Sequence, residues 1–383
     1  RKYMAEYRKR YAFNCEYYDV AADLIRPYTL FYYLSDGTIE MFDERTKRCF
    51  LKRTTFPLDL DALDIDRHVK IFGRQLKIVS YGDAFTKTAF DSVERTYAMI
   101  KPGTFEHVPS IISRIEESGL VIHRLKSARM SEEIAGRLYK EHDGKSFYPN
   151  LMKMITSEPM CVMELRGEGC VKRWRDLMGP TNPETAKREN PRSLRALYAK
   201  NITYNAVHGS DSSSSAEREL GIVFGDDGKC PLRSTASATP FCTCVVILPH
   251  AVKEKKVGSI LQHLDKSLPS NAFISAVQMF TLTPEQTKEF YAVYEGATPE
   301  YSAMVRHLSS DSCVAVCISS ESEEIVGKMR EWAGPKDSVI AKAIRKESAR
   351  ALFGYDSVQN AVHVSDLVEE APVECGYFFK LLQ

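Results

Sequence analysis

The feature that most constrains this 383-residue chain is that it repeats itself. The stretch SLRALYAKNITYNAVHGSD, from Ser193, returns as SARALFGYDSVQNAVHVSD, from Ser348. Arg195 and Arg350, Asn205 and Asn360, His208 and His363, Ser210 and Ser365, and Asp211 and Asp366 are all 155 positions apart, as are Gly179 and Gly334. So constant an offset means two copies of one domain, each able to hold its own core, unlike the roughly 20–50-residue units of a solenoid. Single cores stop growing at roughly 250–300 residues, so this length also requires more than one domain.

The residues before the copies have a different texture. TLFYYL, Ser35-Asp36-Gly37 and TIEMFD read as a hairpin, because Gly reaches positive φ cheaply between two aromatic or β-branched runs. RCFLKR, HVKIFG and LKIVSYG add further strands of a small β domain over residues 1–91. From Glu94 the pattern turns to strands alternating with helices: RTYAMI, then VPSIISRIEES ending at Gly119, then LVIHRLKSARM, SEEIAGRLYKEH and PMCVMEL. Separated strands in that order predict an α+β sandwich. The first copy is placed at 92–225 and the second at 241–383, with an aperiodic, turn-rich linker at 226–240.

Composition removes several classes of function. Lys and Arg number 52 against 51 Asp and Glu, so no positive field favours nucleic acid. No run of 18 apolar residues or signal-peptide pattern points to a membrane or to secretion. The ten cysteines form no CxxC pair. Those in apolar runs (Cys161, Cys242, Cys244, Cys313, Cys317) read as buried reduced thiols of a cytosolic protein, and no zinc set is completed around Cys242 and Cys244.

A histidine following the apolar Ala206 and Val207, as His208 does, is by itself most often a hydrogen-bonded core residue. Its company argues otherwise. Lys101, Tyr139, Arg175, Thr181, Arg195 and Asn205 supply cations and donors suited to polyphosphate. Glu219 could fix one ring nitrogen and leave the other to attack phosphorus. Lys101 ends the apolar run TYAMIKP, where an unused ammonium would be costly. Gly144-Lys145-Ser146 is not a P-loop, since Tyr139 stands where its first glycine belongs.

RTYAMIKPG (95–103), RDLMGPTNP (175–183) and NAVHGSDSSSSAERE (205–219) resemble the signature segments of nucleoside diphosphate kinases. The resemblance implies a ferredoxin-like βαββαβ fold in both copies and phosphoryl transfer from a nucleoside triphosphate such as ATP to a nucleoside diphosphate. In that family His208 would be the phosphorylated residue and Glu219 its orienting partner. Lys101, Tyr139 and Asn205 would lie near the transferred phosphate and sugar, and Arg175, Thr181 and Arg195 would hold the outer phosphates. Phe147 and Leu151 would clamp the base, and Ser210 would support the histidine and its glutamate. Arg195 is preferred to Arg192 on its spacing to Asn205. Mg²⁺ would arrive on the phosphates, without a dedicated protein cage.

The second copy keeps His363, Arg330, Arg350, Asn360 and Glu374, but Leu248 replaces Lys101 and Lys336 replaces Thr181, with Tyr301 in the place of Phe147. It is expected to be feeble or inactive. The segment YYDVAADLIRPYTLFYYLSDGTIEMFDERTKRCFLKRT resembles a DM10 module, of pleckstrin-homology-like shape. DM10 followed by two kinase domains is similar to family members of cilia and microtubule-organising centres. That likeness implies tubulin and other axonemal microtubule proteins as partners and a place in the cytoplasm, cytoskeleton and cilium axoneme. The competing expectation is a mainly structural axonemal component with little or no kinase activity.

Overall fold

A computed structural model describes residues 9–19, 22–58, 60, 63, 65, 67–91, 93–225, 230–236 and 241–382. The chain forms two compact units. One is built on the residues through Val93 together with Thr281–Glu289 and Met304–Ser312, and the other on the remainder.

The first unit holds β1 (Arg10–Asp19), β2 (Leu24–Tyr33), β3 (Thr38–Asp43), β4 (Arg48–Thr55), β5 (His68–Ile71) and β6 (Arg74–Tyr81), in one antiparallel sheet ordered β4-β3-β2-β1-β6-β5. Period-two alternation puts Phe13 and Cys15, Ile39 and Met41, and Leu76 and Ile78 on the buried face. The β2–β3 turn is the expected one: Gly37 has φ +67° and the Asp36 carboxylate accepts the Thr38 N–H at 3.1 Å. The aromatic-rich β1 was not recognised from sequence, because its period is masked by Tyr11, Tyr17 and Tyr18. The segment Met304–Ser312 is tied to this unit through side chains: Arg67 meets Asp311 and the Ser312 hydroxyl, and the Gln75 amide meets the Ser309 carbonyl.

The second unit contains the first copy and most of the second. The first copy supplies β7 (Arg95–Ile100), β8 (Val121–Arg129), β9 (Met160–Arg166) and β10 (Val207–Gly209), followed by the two-residue β11 (Arg233–Ser234). The second supplies β12 (Phe241–Ile247), β13 (Ala272–Thr281), β14 (Ser312–Ser320) and β15 (Val362–Val364). The sheet runs β10-β7-β9-β8-β13-β14-β12-β15, with β11 beside β8. Each copy thus has its first strand between its fourth and third, the ferredoxin-like order, and the two meet at their second strands, where Lys126 faces Gln278. Joining these edges removes an open strand edge from each copy.

Helices reinforce the junction. Val108–Glu117 packs on Val257–Ser267 so closely that a Cβ on Gly258 would lie 2.2 Å from the Ser113 nitrogen. Glu116 accepts the Val257 and Gly258 N–H groups at 3.1 and 2.8 Å, capping the facing helix. The stretch expected to be a linker is only partly so. Residues 226–229 and 237–240 lie outside the described residues, but Leu232 is buried, β11 pairs with β8, and Thr235 donates to the Ser127 hydroxyl at 2.8 Å. A two-residue strand is too short to show periodicity.

Candidate active site

His208 is the middle residue of β10, at the sheet edge beside β7. The chain reaches it through a strained γ-turn: Ala206 has φ +67° while the Val207 N–H donates to the Asn205 carbonyl at 2.8 Å. That backbone is held by the Lys101 N–H to the Ala206 carbonyl at 2.8 Å, by Arg195 to the Val207 carbonyl and by the Trp174 indole N–H to the His208 carbonyl at 3.2 Å. The ring's Nε2 lies 3.4 Å from Glu219 Oε2, which also accepts the Ser210 hydroxyl at 2.7 Å. Nδ1 is therefore the nitrogen away from the carboxylate. Burial holds the imidazole below its ordinary pKa, against the raising effect of Glu219, so the neutral, nucleophilic ring is favoured at pH 7.

A cavity of about 560 Å³ opens at this ring. Lys101, Tyr139, Phe147, Leu151, Arg175, Thr181, Arg195, Asn205 and Glu219 line it with His208. Ser210 does not line it but acts on it through Glu219. The buried Lys101 ammonium donates to Asn205 Oδ1 at 2.8 Å, and burial, with Arg195 nearby, brings its pKa down to about 7. Arg195 is anchored to the Gly179 carbonyl at 2.8 Å and the Val207 carbonyl at 3.2 Å, leaving its Nε without a partner. The Tyr139 hydroxyl is likewise buried and unpartnered. Such groups lack only an acceptor, and phosphate oxygens are one. Phe147, 49% exposed, lines the cavity with the His142 ring 5.5 Å away, an aromatic surface suited to stacking.

Arg192 does not line the cavity; its carbonyl accepts the Arg114 guanidinium. The wall also includes His142, Met178, Ile202, Thr203 and Asp211, which were not anticipated. Asp211 could have been found, because it recurs as Asp366; Ile202 and Thr203 sit in a loop that differs between the copies and left no signal. Among the described residues no group of three or more His, Cys, Asp or Glu side chains is placed to hold a metal ion.

The second copy keeps the support and closes the entrance. His363 Nε2 is 3.0 Å from Glu374 Oε1, Ser365 donates to Oε2 at 2.7 Å, and Arg350 is anchored to the Gly334 and Val362 carbonyls at 2.8 and 3.1 Å. The Asn360 amide donates to the Lys336 carbonyl at 3.0 Å. Yet the His363 side chain is 8% exposed against 22% for His208. The rings of Phe290, Tyr291 and Tyr294 lie 5.1, 5.8 and 6.2 Å from it. Tyr294 donates to Asp366 at 2.5 Å, and Asp366 also faces the exposed Arg330 at 3.7 Å. Leu248 is buried where Lys101 would be, and Lys336 is engaged with Thr298 at 3.0 Å and Glu300 at 3.5 Å. Tyr301 opens its helix, as Tyr148 does, and so does not hold the place of Phe147, which precedes its helix.

With this geometry in view, the likeness to known proteins is specific. The nucleoside diphosphate kinase family model matches residues 94–228 and 242–383. Nucleoside diphosphate kinase homolog 7 of Rattus norvegicus is 40% identical over 376 residues, spanning 98% of this chain and 94% of that protein. The homolog 7 of Mus musculus is 39% identical over the same shares. The solved nucleoside diphosphate kinase of Aquifex aeolicus is 34% identical and covers 36% of this chain and 99% of its own, with a TM-score of 0.35.

Proposed function

The chain belongs to the nucleoside diphosphate kinase family, and from that premise we propose that it passes a phosphoryl group from a nucleoside triphosphate to a nucleoside diphosphate by way of His208. One observation carries the reading: the imidazole next to Glu219 opens on a cavity walled by one lysine, two arginines and an unpartnered tyrosine hydroxyl.

In this scheme Glu219 keeps the ring proton on Nε2, and Nδ1 attacks the terminal phosphorus. The N–P bond forms as the bond to the bridging oxygen breaks, and the nucleoside diphosphate leaves. Lys101, Arg195, Arg175, Thr181 and Tyr139 hold the phosphate oxygens, where charge stabilisation and in-line placement are most of what phosphoryl transfer requires. Phe147 and Leu151 grip the base by its faces, so bases are poorly distinguished. Mg²⁺ would neutralise charge on the phosphate oxygens and would be held by those oxygens, with no dedicated set of side chains among the described residues. Reversal with a second diphosphate completes a double displacement. Exchange between ATP and GDP tests this: parallel double-reciprocal lines, abolished in His208→Ala, support it, and turnover by His208→Ala at the native rate refutes it.

The second copy is read as degenerate, because the covered His363 and the Leu248 substitution both work against triphosphate binding. Its contribution is then to complete the joined sheet. The six-stranded N-terminal module is read as a DM10 domain that places the protein on axonemal microtubules. Retention of the full chain with pelleted microtubules at physiological salt supports this, and recovery in the supernatant counts against it.

A further inference from the structure

Four of the cysteines meet on one face of the second copy. Cys244 on β12 stands opposite Cys317 on β14. Cys242, two residues earlier, shares its face. The helix Ala371–Gly376 packs over β12 and carries the buried Cys375. Cys244, Cys317 and Cys375 are buried, whereas Cys242 is half-exposed. The first copy is an internal control. Arg95, Tyr97 and Leu220 hold the places of Cys242, Cys244 and Cys375, and Glu164, opposite Tyr97, holds that of Cys317. The fold therefore has no need of thiols here, and the cluster takes no part in the His208 site.

We propose that Cys242 and Cys375 are a peroxide-oxidisable pair, with Cys242 the attacking thiol and Cys375 the resolving one. A reactive cysteine needs thiolate character, access and a neighbour able to resolve it. Cys242 has all three. It lies at the open start of β12, the helix that carries Cys375 packs over that strand, and Cys375 and then Lys380 hold its thiol below the ordinary range. Burial instead pushes Cys244 up, and Cys317, though lowered as Cys242 is, is buried away from peroxide. The Cys242 thiolate attacks hydrogen peroxide, an S–O bond forms as the O–O bond breaks, and hydroxide leaves. The Cys375 sulfur then attacks the sulfenic sulfur, the S–S bond forms, and the S–O bond breaks with loss of water. Two thiols are oxidised and one peroxide becomes two waters. The disulfide pins the helix next to Glu374, which holds His363.

The full chain, titrated with hydrogen peroxide, alkylated and mapped by peptide mass spectrometry, tests this. A Cys242–Cys375 linked peptide should appear at peroxide levels that leave the exposed Cys49 largely alkylatable. Cys375→Ser should leave a sulfenic acid on Cys242 that dimedone captures, and Cys242→Ser should leave Cys375 reduced. The proposal is overturned if Cys242 stays alkylatable in the native chain at peroxide levels that oxidise Cys49, or if Cys375 crosslinks to Cys244 or Cys317 in Cys242→Ser.

Discussion

A side-chain carbon at Gly209 would lie 2.2 Å from Nε1 of Trp174, the atom that holds the His208 carbonyl. In the second copy these two positions are Val364 and Met329, so a large residue against glycine has been exchanged for a smaller one against valine. Gly209→Val alone should therefore cost about 1–3 kcal/mol by overpacking. Adding Trp174→Met should recover much of the stability but little of the activity, because the indole bond to the backbone is gone. Thermal melts and turnover of the four proteins in that cycle check this, and additive losses of stability would contradict it. Lys101 gives a second expectation. With its free-state pKa near 7, it is mostly neutral at pH 8, and bound phosphate should restore its charge. Triphosphate binding at pH 8 should thus take up a proton and weaken as pH rises. Calorimetry in two buffers of different ionisation enthalpy reads that uptake; identical heats would exclude it. Lys101→Leu, which reproduces Leu248, should lower kcat/KM roughly tenfold to a hundredfold.

Glu116 shows what one residue does for two elements. Its carboxylate caps the helix Val257–Ser267 of the other copy, yet burial raises its pKa to about 7. A raised acid binds its proton more readily in the folded state, so between about pH 4.5 and 7 this group makes stability fall as pH rises. Glu116→Gln should flatten that slope. Glu116→Ala should cost about 1–3 kcal/mol by leaving two N–H groups without an acceptor. Denaturant melts between pH 5 and 7.5 measure both. The longer elements were legible because their apolar residues are patterned: the helix from Val108 buries Ile111, Ile112 and Ile115, and β9 opens on the apolar run Met160–Met163. The aromatic β1 and the short β11 were not, because neither shows an alternation that sequence alone can reveal.

For the whole molecule, the repeat announced two copies but not how they meet. Among the described residues their pairing includes the Lys126–Gln278 strand bridge, the Val277 N–H donating to the Ser127 hydroxyl, a helix contact allowed by Gly258 and a cap across the junction, none of which leaves a motif. The site itself was almost fully readable, since polyphosphate chemistry demands residue types that stand out at fixed spacing. The closing of the second site was less so. Leu248 is visible in the sequence, but the link from Tyr294 through Asp366 to Arg330 exists only in the fold. That link predicts that Leu248→Lys will not by itself confer activity on a His208→Ala background, and that His363→Ala will leave native turnover within about twofold, a change too small to register as transition-state stabilisation. The most direct test is to incubate the full chain with γ-labelled ATP and Mg²⁺ and map the acid-labile phosphate along it. The account predicts label on the peptide bearing His208 and essentially none on that bearing His363; label on His363, or none on either, would contradict it.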